Sequence, residues 1–288
     1  MKTIRVLPSS RTAPKVMILP YKMGSESART LARALGVLRI RTGADTYRYR
    51  RNHIILNWGN STGVSSACTW ARDTGISTIP PYGVGTIPSA YINEPSAVYF
   101  ASNKIETLCK FNMFGVARPA WTVNINQASD WVREGNTVYC RTTVTGSGGD
   151  GIVIATSIDE IVDAKLYTQG VNNDKEYRVH VFNGEVIDFV RKAQRRGEDN
   201  KPSHLIRNYK QGWVFIREGV QLPEVVAETA KRAVQALGLT FGAVDICTLK
   251  GTNEQECVVF EVNTACGLVN STIESYKSAI LKYVSGLT

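Results

Sequence analysis

The sequence predicts an α/β protein, with a small α/β unit at the front of the chain and a larger body of mixed α and β elements behind it. Three observations favour this class. Strand-like and helix-like segments alternate up to about residue 100, as they do in α/β units. A glycine-rich segment, Thr145–Gly151, lies between two strand-like runs, and Asn183-Gly184 joins two more.

The composition is that of a globular protein of 288 residues, with 43% apolar and 20% charged residues. Its longest apolar stretches reach about five residues, against the ~20 that a membrane helix needs. No apolar run follows the basic N-terminus, so we expect no secretory signal and a cytoplasmic protein. The six cysteines include no Cys-x-x-Cys pair and the three histidines lie far apart, which indicates reduced thiols and no zinc site. The formal charge of +9 favours an anionic partner, either a nucleotide, an acidic substrate or nucleic acid.

The first unit is predicted from short β-branched runs and from helix-ending signals. Serine side chains accept hydrogen bonds at helix N-termini, and glycine adopts the left-handed conformation that ends a helix. The elements expected here are strands at Lys15–Leu19 and His53–Asn57, a helix from Ser25 or Ser27 to Leu35 that Gly36 ends, and a long proline-rich loop at Ile79–Pro95.

The second unit is predicted from the same signals and from the Asn183-Gly184 turn. Its helices are expected at Asn103–Phe114, with Ser102 as the cap, and at Ala128–Glu134, Pro223–Leu237 and Ser271–Val284. Its strands are expected at Thr137–Thr143, Ile152–Ala155, Glu176–Val181, Glu185–Val190, Ala243–Leu249 and Glu256–Val262.

The glycine-rich segment at 146–151 reads Gly-Ser-Gly-Gly-Asp-Gly, which matches G-x-G-x-x-G. A dinucleotide fingerprint must open a helix, but the β-branched run Ile152–Ile154 follows and favours a strand. A P-loop needs Lys-Ser or Lys-Thr after the last glycine, and a protein kinase needs H-R-D and D-F-G; all are absent. A phosphate-binding loop between two strands remains, with a glycine turn that binds nothing as the alternative.

Two carboxylates lie in apolar strands near the C-terminus. Glu261 and Asn263 are two residues apart, so they share one face of their strand. An antiparallel hairpin about Asn253 would place Asp245 opposite Glu261. Oxygen ligands without nitrogen or sulfur suit Mg²⁺. The alternative is that these carboxylates pair with basic residues as structural ions.

The order of these motifs resembles the ATP-grasp superfamily, and most closely its ribosomal-protein glutamate ligases and glutathione synthetase-like enzymes. The resemblance covers about Val98 to Thr288. It is carried by SNKIETLCKFNMFGVARPAW, VYCRTTVTGSGGDGIVI, KEYRVHVFNGEVIDFVRK, LIRNYKQG and LGLTFGAVDICTLKG…CVVFEVNTACGL. It implies an ATP-grasp fold, with a nucleotide held between two α+β subdomains, 98–168 and 169–288, behind an N-terminal α/β substrate domain, 1–97.

The resemblance also implies roles for individual residues. The residues expected to bind ATP are Lys104, Arg141, Gly146, Ser147, Gly148, Gly149, Gly151, Thr168, Gln169 and Arg178. Those expected to hold Mg²⁺ are Asp245, Glu261 and Asn263. The residues expected to be catalytic are Arg191, which would face the phosphates or the acyl phosphate, and Arg207 and Asn208, which would lie near the reacting carboxylate.

The sequence departs from the family pattern at three places. Arg141 stands where a lysine is usual, which keeps the charge but changes the geometry. Thr168 and Gln169 replace a common acidic residue of the adenine-binding hinge at Leu166–Val171. Ala243 stands where some relatives have an arginine that stabilises an oxyanion, so Arg191 or Arg207 is expected to fill that role.

The resemblance therefore implies an ATP-dependent carboxylate–amine ligase that forms an acyl phosphate and releases ADP and phosphate. ATP and two Mg²⁺ ions are the implied cofactors, with Mn²⁺ as an alternative ion. The implied partners are an acidic small molecule, peptide or protein tail and an amine, and a homo-oligomer is a further option. The rival functions are a nucleotide- or nucleic-acid-binding module without ligase chemistry, which the positive charge favours, and a phosphotransferase that needs no amine.

Overall fold

Three β-sheets and six α-helices make up the part of the chain that the computed structural model describes, residues 14–42, 52–63, 90–146, 149–195 and 212–287. The helices are α1 Glu26–Leu35, α2 Pro95–Ser102, α3 Lys104–Met113, α4 Ile125–Arg133, α5 Glu224–Ala236 and α6 Asn270–Ser285. The strands are β1 Lys15–Pro20, β2 Leu38–Arg39, β3 His53–Trp58, β4 Ala90–Ile92, β5 Trp121–Thr122, β6 Val138–Arg141, β7 Ile152–Ala155, β8 Leu166–Gln169, β9 Asn173–Phe182, β10 Glu185–Gln194, β11 Trp213–Ile216, β12 Phe241–Leu249 and β13 Cys257–Asn263. A 3-10 turn lies at Ile158–Glu160.

The first sheet is parallel, with the strand order β2-β1-β3-β4. Helix α1 begins where predicted, because Ser25 Oγ accepts from the backbone N–H of Ala28 at 3.3 Å. It ends at Gly36, whose φ of 68° is the left-handed conformation that glycine adopts readily. The predicted loop at Ile79–Pro95 is wrong at its end, since Ala90–Ile92 forms β4 and Pro95 opens α2; the preceding residues, 64–89, lie outside the described part.

The second sheet is antiparallel, with the order β5-β8-β6-β7. Helix α4 packs on one of its faces through a small apolar core. The glycine-rich segment joins β6 to β7, so the strand–loop–strand prediction is confirmed. The predicted N-cap of α3 is wrong by one residue. Asn103, rather than Ser102, accepts hydrogen bonds from the backbone of α3, and Ser102 ends α2.

The third sheet is antiparallel, with the order β11-β10-β9-β12-β13. Residues on one of its faces, such as Tyr177 and Val179, form the main core with α2, α3 and α5. Residues on the other face, such as Phe182 and Ala243, pack with α6 and with the parallel sheet. The two faces of this sheet therefore serve two different cores.

Two β-bulges interrupt the third sheet. Between β9 and β10, Val186 pairs with Val181 but Asp188 pairs with His180, so Ile187 is the extra residue. Between β12 and β13, Ile246 pairs with Val259 and Asp245 pairs with Glu261, so Phe260 is the extra residue. A bulge reverses the alternation of side chains beyond it. Both bulges therefore decide on which face of the sheet the polar residues described below lie.

No helix in the described segments combines the length and the apolar character that crossing a bilayer requires.

A buried polar cluster lies between the third sheet and α6. His180 Nδ1 lies 3.2 Å from Tyr276 Oη, and Cys266 Sγ lies 3.7 Å from both atoms. Burial lowers the pKa of His180 to about 4, which nearby Asp188 opposes only in part. Burial likewise raises the pKa of the Cys266 thiol to about 11, so the cluster is uncharged at neutral pH.

Because of His180, the stability of the folded protein should depend on pH. His180 titrates near 6.5 when unfolded and at about 4 when folded, so between these values the unfolded chain binds more protons. The contribution of His180 to the free energy of unfolding is fully present above pH 6.5. The free energy of unfolding should fall by about 3 kcal/mol as the pH drops to about 4. Urea unfolding of the wild type and of His180→Gln, near neutral pH and near the folded pKa, measures this loss. Equal pH dependence in the two proteins would contradict the assignment.

Candidate active site

Three charged side chains form one row across neighbouring strands of the third sheet. Asp245 of β12 pairs in register with Arg178 of β9 on one side and with Glu261 of β13 on the other. Arg178 donates through Nε to Asp245 Oδ1 and through Nη2 to Asp245 Oδ2, both at 2.7 Å. Because cross-strand partners leave a sheet on the same face, all three side chains share one surface. The predicted placement of Asp245 opposite Glu261 is confirmed.

The two carboxylates of this row differ in their surroundings. Burial opposes the ionisation of Asp245, but Arg178 outweighs it and lowers the pKa of this carboxyl to about 2. Glu261 is more open, and its Oε2 accepts from Lys104 Nζ at 3.2 Å. Its Oε1 accepts from the side-chain amide of Asn263 at 3.0 Å. All three residues predicted to hold a metal therefore lie together.

The donor set of this cluster fits Mg²⁺ in kind. Asp245, Glu261 and Asn263 offer carboxylate and amide oxygens, and Mg²⁺ usually takes only a few protein oxygens and completes its shell with water and phosphate. Among the described residues, no three His, Cys, Asp or Glu side chains group as a metal site, so the amide is needed. The alternative role is realised as well, because both carboxylates are bonded to basic side chains.

Lys104 connects the carboxylates to the glycine-rich loop. It is the first residue of α3, and its backbone N–H donates to the Val144 carbonyl at 2.9 Å, just before the loop. Its side chain reaches Glu261. One residue thus links the predicted metal strand to the residue that precedes the predicted phosphate loop.

The loop has the backbone conformations that require glycine. Gly146, Gly149 and Gly151 have φ values of 138°, 89° and 72°. At Gly151 a Cβ would also lie 2.7 Å from Thr143 Cγ2, so a side chain there is excluded by contact as well as by conformation. Ser147 and Gly148, predicted to bind ATP, lie outside the described residues.

The second sheet faces the carboxylate row through the side of β6 that carries Arg141. Burial lowers the pKa of Arg141 while the charge of Glu261 opposes this, so the two residues of different sheets interact. Leu166 pairs with Arg141, and Thr168 lies two residues further on the same face of β8. The Gln169 side chain lies on the opposite face of β8, away from Arg141. Of the predicted hinge pair, only Thr168 therefore shares the face of Arg141.

Arg191 is not part of this cluster, contrary to the prediction. An unbulged hairpin about Asn183-Gly184 would place Arg191 on the face of Arg178. The bulge at Ile187 shifts the register by one residue, so that Val190 pairs with Arg178 and Arg191 pairs with Tyr177. Tyr177 belongs to the core on the other side of the sheet, and Arg191 therefore points away from Asp245.

Lys192 takes the place that Arg191 was expected to fill. It lies two residues after Val190, on the face of Arg178, and it forms an ion pair with Glu176. Burial lowers the pKa of Lys192, but the charges of Asp245 and Glu176 outweigh it and raise this pKa above its ordinary value. In the sequence, Arg191 and Lys192 are simply adjacent basic residues. No clear sequence signal indicates the bulge that determines which of them faces Arg178.

Arg217, just after β11, is a second residue that the sequence analysis did not single out. Its guanidinium forms an ion pair with Asp188, and its Nη2 donates to Thr272 Oγ1 at 2.6 Å. It thereby ties β10 to the first turn of α6. An acidic residue within the apolar run of β10 was the available signal. Arg207 and Asn208, predicted near the reacting carboxylate, lie outside the described residues.

The parallel sheet borders the cluster at the carboxyl end of β3. Gly59 has a φ of 83°, and a Cβ there would lie 2.6 Å from the Cβ of Ala265, two residues after Asn263. Ligands of open parallel sheets bind at such carboxyl ends. At this end of β3, the first unit lies against the residues that follow Glu261 and Asn263.

Sequence comparisons and structural comparisons give different results for this chain. No protein-family profile and no curated protein sequence matches it. Its structure resembles the ATP-grasp ligase PsnB solved with a minimal precursor, with a TM-score of 0.64, 13% identity and coverage of 96% of this chain and 99% of that one. PsnB has also been solved with Mg and ADP.

Two further structures show the same likeness. D-alanyl-alanine synthetase A from Vibrio cholerae superposes with a TM-score of 0.61 at 14% identity, over 96% of this chain and 99% of its own. The macrocyclase MdnC from Microcystis aeruginosa, bound to the precursor peptide MdnA, superposes with a TM-score of 0.57 at 12% identity, over 95% and 100%. The fold is thus shared along almost the full length of each chain.

Proposed function

From the ATP-grasp fold of this chain, which the sequence predicted, we propose that it is an ATP-dependent carboxylate–amine ligase. It would activate a carboxylate as an acyl phosphate, join it to an amine, and release ADP and phosphate. The observation that carries this proposal is the continuous set of contacts from Arg178 through Asp245, Glu261 and Lys104 to Val144, the residue before the glycine-rich loop.

The cations of the cluster are suited to the phosphates. Lys104, Arg141, Arg178 and Lys192 lie around the two carboxylates, where they would hold the transferred phosphoryl group and stabilise negative charge on the acyl phosphate. The loop that follows Val144 would cover the phosphates with its backbone N–H groups and exclude water from the intermediate.

Asp245, Glu261 and Asn263 would hold Mg²⁺. When bound, the ion would supply charge neutralisation for the transferred phosphoryl group. The PsnB complexes that contain Mg and ADP support the choice of ion and nucleotide.

The face of the second sheet that carries Leu166 and Thr168 would receive the adenine. Leu166 and Thr168 are both buried, so adenine would reach this apolar and polar pair only when the two sheets move apart. The subdomain boundary that we propose, between residues 168 and 169, lies at the end of β8. Such a position lets the two sheets close on a nucleotide between them.

We infer a peptide or protein tail as the carboxylate substrate. PsnB and MdnC were solved with precursor peptides, and this chain has a formal charge of +9, which suits an acidic segment. The carboxyl end of β3, next to Ala265, is the proposed place of contact with the reacting end of that substrate.

Amine-dependent ADP release tests the proposal. The full chain with Mg·ATP should release ADP when an acidic peptide and an amine are both present, and much less when the amine is omitted. Release that is independent of the amine would favour phosphotransfer instead. The pairing of both carboxylates with cations favours a second candidate, a nucleotide-binding module, for which the expected result is binding of Mg·ADP without turnover.

A further inference from the structure

Each carboxylate proposed for the metal is bonded to a cation proposed for the phosphates. Asp245 holds Arg178 through two hydrogen bonds at 2.7 Å, and Glu261 holds Lys104 at 3.2 Å. Arg141 adds a further positive charge near Glu261. The described site is therefore neutralised from within, with no need of an external ion.

These pairs are shielded enough to matter for binding. The side chains of Asp245 and Arg178 are 6% and 20% exposed, and those of Glu261 and Lys104 are 35% and 22% exposed. Charges at such positions interact more strongly than a pair in open solvent. A phosphate that approaches Lys104 must displace Glu261 as its partner, and it meets the negative charge of Glu261 while doing so.

We propose that Asp245 and Glu261 act as internal counter-ions of the nucleotide-binding cations, so that nucleotide and Mg²⁺ bind in concert by exchanging partners. Mg²⁺ takes the carboxylates and the phosphates take the cations, and each exchange removes the competitor of the other. Nucleotide without metal, and metal without nucleotide, then bind weakly. This inference rests on the proposed function, because it assumes that the cluster receives a nucleotide.

Removing a proposed metal ligand should improve the binding of metal-free nucleotide. In Glu261→Gln, Lys104 loses its internal partner and the phosphates lose a repelling charge. Calorimetric titration with ADP in EDTA should show about tenfold tighter binding than for the wild type, equivalent to ~1.4 kcal/mol. Asp245→Asn should act in the same direction through Arg178.

The control variant is Glu228→Gln. Glu228 forms an ion pair with Lys231 on α5, which covers the opposite face of the third sheet, and its replacement changes the net charge by the same amount. Its affinity for metal-free ADP should stay within about twofold of the wild type, since a distant exposed charge is screened by salt.

The reciprocal measurement uses Mn²⁺ alone as the probe. Lys104→Met frees Glu261 from its partner, so Mn²⁺ without nucleotide should bind about tenfold more tightly than to the wild type. This arm does not depend on the folding of the two carboxylate variants.

The outcomes separate the two proposals. If the wild type does not bind ADP even with Mg²⁺, the proposed function fails and the exchange fails with it. If the wild type binds Mg·ADP but neither Glu261→Gln nor Asp245→Asn gains metal-free affinity over Glu228→Gln, and Lys104→Met gains none for Mn²⁺, only the exchange is overturned.

Discussion

ATP turnover should fall by about 10²–10³-fold when Glu261 is replaced by Gln, a loss of the size seen when one preorganised electrostatic contact is removed. Glu261 is the carboxylate of the row that is bonded to Lys104 and interacts with Arg141, so it would link the proposed metal site to the cations proposed for the phosphates. Glutamine keeps the shape and the hydrogen-bonding capacity of the side chain but removes its charge. The measurement is the steady-state rate of ADP release at saturating Mg·ATP.

The loss must be separated from unfolding. Glu261 is partly exposed at the end of β13, and the thermal midpoint of Glu261→Gln should remain close to that of the wild type. Glu228→Gln makes the same chemical change on α5 and should retain full turnover. Full turnover in Glu261→Gln itself would remove this residue from the proposed metal site.

Lys192→Met should also reduce kcat/KM by about 10²–10³-fold, while Arg191→Met should leave it within about threefold of the wild type. The reason is the face on which each side chain lies. Lys192 lies with Arg178 and interacts with Asp245, whereas Arg191 lies with Tyr177 on the far side of the sheet. Rates of ADP release over a range of ATP concentrations measure both variants.

A stability control is necessary because Lys192 neutralises the buried Glu176. Loss of one partner of a buried pair leaves an uncompensated charge, which can cost about 3–5 kcal/mol. The double variant Lys192→Met/Glu176→Gln removes that charge and should recover the thermal midpoint without recovering the rate. If the double variant recovers both, Lys192 has only a structural role.

The sequence was most informative where local chemistry decides the backbone. Asn183 and Gly184 have φ values of 50° and 78°, as a two-residue hairpin of the type that Asn-Gly favours requires. The caps at Ser25 and Gly36 follow from equally local preferences. The β-branched residues after Gly151 correctly indicated a strand, and this excluded the helix that a dinucleotide fingerprint would need.

The sequence was least informative where a register depends on tertiary packing. Whether Arg191 or Lys192 faces Arg178 is decided by one unpaired residue, Ile187, and a bulge of this kind depends on the side chains packed on both faces. The position of Arg217 beside Asp188 depends on the return of the chain after β10, and no short-range pattern encodes it. These residues required the structure.

The bulge at Phe260 divides the last hairpin into two parts that can change independently. On the turn side, β12 and β13 pair from Ile246 opposite Val259 to Thr248 opposite Cys257; on the other side, Asp245 faces Glu261. The turn between β12 and β13 can therefore change in sequence, and in length by two residues at a time, without moving Asp245 or Glu261 to the other face of the sheet. Deletion of Phe260 would remove the bulge but leave Glu261 directly after Val259, so Glu261 would still pair with Asp245 on the face away from α5.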